Sequence, residues 1–208
     1  MDFKLPQDAF VNKFVAKSKF YERVSLSTKL QNEFINKIKK ITWKYKLAEE
    51  TIGVSKTDTV TEIQIFDIEL KEQIIPKNVL KIIDKAIPYQ ILYRFIYNNS
   101  VAYGITLKES NKAEKYYFKA WDEKVEFDFT GIDLEKIYQK LVKTFIRKKA
   151  LDKQGFKLQI DLDHKIEELE KNIYTIEKQI KKEKQFNRKV EINKILLKKK
   201  KELNQIIK

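Results

Sequence analysis

The chain has 208 residues, 42% of them hydrophobic and 12% aromatic, with 44 Lys and Arg against 30 Asp and Glu and a net charge of +14. That length fits one ordinary domain, or a smaller domain with an appendage, and the apolar content excludes wholesale disorder. No Cys and one His exclude disulfides, thiol nucleophiles, zinc fingers and His-rich metal sites, and four scattered glycines (Gly53, Gly104, Gly131, Gly155) exclude a phosphate-cradling or dinucleotide-binding loop.

The first element is a tail held by Phe10, Phe14 and Phe20. Ser27 or Thr28 can then cap a helix whose apolar stripe runs Leu30, Phe34, Ile38, Ile41 and Tyr45. Gly53 and the polar stretch Val54 to Thr59 end it. From Glu62 to Lys71 the pattern alternates in the strand sense. Phe66, Ile68 and Leu70 occupy one face, and the other turns polar at Asp67, Glu69 and Lys71. Pro76 opens a short helix carrying Val79, Leu80, Ile83 and Ile87, and Pro88 closes it. A hairpin follows, Tyr89 to Tyr97 and Val101 to Lys108, turning at Asn98-Asn99. Strands are expected at Lys115 to Ala120 and Lys124 to Phe129, and an amphipathic helix at Ile132 to Arg147. Residues 1–150 therefore predict an α+β domain: one antiparallel sheet of about five strands, covered by helices on one side.

After Gly155 neither Gly nor Pro occurs, and residues 156–208 read as helix. Leu162, Ile166, Leu169, Ile173, Ile176 and Ile180 are spaced 4, 3, 4, 3, 4, the a/d seam of a coiled coil. The register breaks at Glu183. The chain there either continues as one long helix with a stutter or folds back near Gln185 to Asn187 as a helical hairpin. Between Lys178 and Lys201 lie Lys178, Lys181, Lys182, Lys184, Arg188, Lys189, Lys194, Lys198, Lys199, Lys200 and Lys201, against only Glu183 and Glu191. That stretch holds +9 of the +14 in 24 residues. Such a cluster grips phosphates without reading sequence, although a Lys-rich solvated helix flank produces the same pattern.

The enzymatic alternative rests on Asp67, Glu69 and Lys71. Residues two apart on a strand share a face, so two carboxylates able to hold Mg²⁺ would stand beside a lysine, as in restriction-type nucleases. Such a site needs a further acid from a neighbouring strand. The simpler reading is the wet face of a half-buried strand.

The segments Ile41 to Ile52 (ITWKYKLAEETI), Ile63 to Lys71 (IQIFDIELK), Ile82 to Tyr93 (IIDKAIPYQILY) and Glu183 to Leu196 (EKQFNRKVEINKIL) resemble a bacterial family known as domain of unknown function 4391. The resemblance runs from about Lys29 to the end of the chain. Its members are typically encoded beside large helicases and DNA methyltransferases in loci resembling restriction and phage-defence islands. The resemblance thus implies a cytoplasmic accessory subunit that docks on a helicase or nuclease and works on DNA, and it supplies no catalytic residues. The expectation is a non-enzymatic adaptor of an antiviral defence complex, without cofactor, metal or membrane span, contacting DNA or a partner through its basic arm. A Mg-dependent nuclease and a purely structural coiled-coil module, homo-oligomeric through its seam, are the alternatives.

Overall fold

A computed structural model describes residues 3–24, 26–109, 112–147 and 155–207. It divides into two compact units, residues 1–145 and 146–208, and the boundary expected at 150 lies outside the described residues.

The first unit is built on six strands: β1 (Phe10–Phe14), β2 (Ile38–Leu47), β3 (Ile63–Leu70), β4 (Gln90–Tyr97), β5 (Ser100–Glu109) and β6 (Lys112–Phe118). Their order in the sheet is their order in the chain. Every neighbouring pair is antiparallel except β3 and β4, which run parallel. A parallel pair needs a crossover, and α4 (Lys77–Ala86), the next helix after the four-residue α3 (Glu49–Ile52) of the β2–β3 link, supplies it between Pro76 and Pro88. The sheet is mixed and six-stranded, one strand more than the sequence predicts.

Three differences account for that count: Phe10–Phe14, expected as a tail, forms β1, and the other two concern β2 and residues 124–129. Ser27 caps α2 (Thr28–Lys37) by accepting from the Leu30 amide, but the helix stops at Lys37 and Ile38 begins β2. Ile41 and Tyr45 are therefore strand residues. The helical spacing of Leu30, Phe34, Ile38, Ile41 and Tyr45 straddles a helix–strand boundary, and the β-branched and aromatic run of ITWKY prefers a pleated, paired surface. Conversely, residues 124–129 form no strand. Phe127 and Phe129 pack with Phe3, and Phe127 also meets Tyr103, so this segment lies over a sheet face instead of extending an edge.

The sheet is covered on both faces, not one. Phe66, Ile68, Ile91, Tyr93 and Phe95 pack with residues of α1 (Ser18–Arg23), α2 and α4 in one core. On the opposite face, α5 (Leu134–Phe145) lays Tyr138 across β5, where its hydroxyl donates to Thr106 O and accepts from the Lys108 amide. β3 is buried along nearly its whole length on both faces, Gln64 and Asp67 included. Gly104 is required where β5 crosses this core, since a Cβ there would meet Phe118 at 2.8 Å and Phe95 at 3.0 Å.

One polar cluster lies inside the helix-rich core. Asp84 of α4 pairs with Lys108 of β5 at 3.0 Å, both side chains with zero exposure, and accepts from the Thr106 hydroxyl. Lys108 Nζ also donates to Ile87 O and Tyr89 O. Burial pulls the Lys108 ammonium below its ordinary value, against the opposing pull of Asp84. Burial, reinforced by the Asp84 carboxylate, pushes the phenols of Tyr93 and Tyr116 up.

The second unit consists of α6 (Phe156–Lys182) and α7 (Phe186–Ile207), joined by residues 183–185 and packed side by side. Lys165–Glu202 and Lys200–Glu177 ion pairs tie the two helices together. Of the two arrangements the sequence leaves open, the chain adopts the fold-back.

Candidate nucleic-acid interface

The fold-back begins where Glu183 ends α6, its amide donating to Gln179 O. The Glu183 carboxylate then accepts from the Lys184 and Gln185 amides. The Gln185 amide, the Lys184 amide and nearby Arg188 hold this carboxyl below its ordinary range. One acidic residue thus holds the turn between the two helices through linker amides, and the cations around it form no ion pair among the described residues.

Lys181, Lys182, Lys184, Arg188 and Lys189 are all exposed at this tip, and among the described residues none of them forms an ion pair. Farther along the arm Lys178, Lys194, Lys198, Lys200 and Lys201 are exposed, and Lys199 is half-buried. Lys178 lies over the Tyr174 ring, Lys199 pairs with Glu202 and Lys200 with Glu177. Phe186, 78% exposed, stands among the tip cations. Along the seam Ile166 and Leu169 are buried, while Leu162, Ile173, Ile176 and Ile180 are only half-buried. The apolar stripe is therefore covered least toward the charged end.

The carboxylate row behaves differently. Asp67 is buried against Arg94 of β4, whose Nε and Nη2 donate to its two oxygens at 2.8 and 2.6 Å. The parallel register places those two residues directly side by side. Glu69 faces Lys39 and Lys40 at 3.6 and 3.8 Å, and Lys71 lies beyond the end of β3. Among the described residues no three acidic or histidine side chains converge. Asp67 is occupied as half of a bidentate ion pair, and the row lacks the third acid that a Mg²⁺ cleft requires. The expected wet face is also wrong for Asp67, because β4 and Arg94 cover it.

Sequence reasoning passed over two features. Asp84 is a lone charge on the apolar stripe of Leu80, Ile83 and Ile87, a signal that it needs a buried partner. The other is a cleft of about 290 Å³ in the first unit, assembled from β1, α1, β2, β3 and the end of α4, which no local pattern announces.

These features define the class: an α+β protein with a mixed six-stranded sheet, followed by a two-helix arm with a cationic tip. The chain belongs to the family described as a domain of unknown function (DUF4391), whose signature matches residues 3–203. No curated protein matches it, and no solved structure does.

Proposed function

We propose that this chain is a non-enzymatic accessory subunit of a DNA-directed bacterial defence complex, docking on a helicase or nuclease and holding DNA through its basic helical arm. The observation that carries the reading is the tip: five exposed cations within nine residues, none ion-paired among the described residues. Ammonium and guanidinium groups left without carboxylates are available to phosphates, and their binding releases counterions. The partner half of the reading rests on the family resemblance, and the half-buried seam at Ile173, Ile176 and Ile180 offers a coiled-coil contact for partner helices.

The test reverses Lys181, Lys182, Lys184, Arg188 and Lys189 to Glu in the full chain. Duplex DNA binding should vanish while the melting temperature holds, because the side chains are exposed. For the unaltered chain, five phosphate contacts give a slope of log K against log salt of about −4.5 on duplex or −3.5 on single strands. Undiminished binding by the reversed chain refutes the DNA half. Failure to co-purify with helicase or nuclease products of the same locus refutes the partner half.

A further inference from the structure

We propose that the cleft in the first unit is a binding site for a nucleotide, a planar base carrying phosphate. It is independent of the helical arm. Its walls include Trp43 and Tyr89, both half-buried and so presenting aromatic surface to a ligand, with buried Gln64 also lining it. Lys13, Lys19 and Arg23, all exposed, complete the lining, and no carboxylate contributes to it. Among the described residues none of these three cations forms an ion pair. Arg23 is tethered at the cleft by donating to Ala86 O at 3.3 Å, which leaves its charge uncompensated.

Three cations gathered around an apolar hollow repel one another, and an anion relieves that repulsion. A simple inorganic anion gains nothing from the aromatic walls, and a neutral apolar ligand gains nothing from the charges. A base with a phosphate uses both, through stacking on aromatic faces and charge-assisted contacts to the phosphate. The volume of about 290 Å³ admits one such unit and not a longer stretch of strand. The nucleotide can arrive free or as one residue of a single strand.

Trp43 and Trp121 are the only tryptophans, so Trp121→Phe leaves Trp43 as the sole indole reporter at the cleft. The titration is run in this background with the five tip cations also reversed, which removes the arm from the measurement. Probes are adenosine and thymidine 5′-monophosphates, a short oligothymidylate and inorganic phosphate. Calorimetry on the chain with both tryptophans retained runs in parallel.

Quenching of Trp43 by the monophosphates is expected for a free nucleotide, and quenching by the oligonucleotide alone for a nucleotide within a strand. Lys13→Glu with Lys19→Glu, both exposed, should weaken either at least tenfold without changing the melting temperature. No response to any nucleotide probe at millimolar concentration overturns the proposal, as does equal binding of inorganic phosphate. Because the arm is already disabled, a negative result there leaves the arm's own DNA binding unaffected.

Discussion

Replacing Lys108 by Met tests how the helix-rich core is held together. The substitution keeps the length and apolar stem of the side chain but removes its charge, so Asp84 loses a partner at 3.0 Å, and Ile87 O and Tyr89 O lose their donor. Removing one member of a fully buried pair costs about 3–5 kcal/mol, because the remaining charge stays desolvated. For a unit of this size each kcal/mol moves the midpoint by about 3–4 °C, giving a fall of about 10–20 °C. Thermal melts followed by circular dichroism, with urea titrations for the free energy, measure it. The double change Asp84→Leu with Lys108→Met should recover most of the loss, since an apolar pair of similar volume is often as stable as the ion pair it replaces. A single-variant loss below about 1 kcal/mol, or a double variant as unstable as the two singles added, would refute the reasoning.

Other outcomes follow from the same physics. Arg94→Met strands Asp67 and should lower stability by about 2–4 kcal/mol, somewhat less than a fully sealed pair because its rim is wet. Glu69→Gln, opposite two exposed lysines, should stay within about 0.5 kcal/mol in the same urea titration. Equal losses from the two variants would contradict the assignment of Asp67 to structure and Glu69 to surface. Gly104→Ala forces a Cβ against Phe118 and Phe95 and should cost about 1–3 kcal/mol of overpacking, read as a lower midpoint. Raised phenols bind protons more tightly when folded, so the stability held by Tyr93 and Tyr116 is full below the ordinary tyrosine value of 10.0 and is lost as pH rises beyond it. Lys108, lowered by burial, acts oppositely, adding stability as pH rises toward its ordinary 10.5. The net decline therefore steepens above about pH 10.5, and Tyr93→Phe should flatten it; a melting temperature independent of pH up to 12 would contradict this.

What the sequence disclosed depended on whether a signal was local. The two prolines around α4, the Asn98-Asn99 turn and the register break at Glu183 each lie within a few residues of the feature they announce. The basic run is likewise contiguous and visible at once. β2 was hidden because its first apolar residues continue the helical spacing of α2 by coincidence, and pairing with β1 and β3 decides the matter. β1 is a five-residue edge strand, mostly exposed, with no alternation to reveal it. Residues 124–129 carry true strand alternation, but their aromatic side chains are satisfied by Phe3 and Tyr103 across the sheet face. Asp67 beside Arg94 and Asp84 beside Lys108 depend on registers set by tertiary pairing. The cleft draws on five elements spread from Lys13 to Tyr89, so nothing in any one segment points to it.

The strand order β1 to β6 bears on how the molecule is made. Each strand bonds only to those before and after it in the chain: β4–β5 and β5–β6 are separated by two residues each, and the other three pairs by links of 15 to 23 residues that carry the helices. Contacts between sequence neighbours form fast and tolerate partial chains. As synthesis proceeds, each new strand meets an edge already in place, and the sheet grows in one direction like a fan being opened. The arm follows the sheet in the chain, so the five tip cations emerge and become available only once the strands of the sheet have been made.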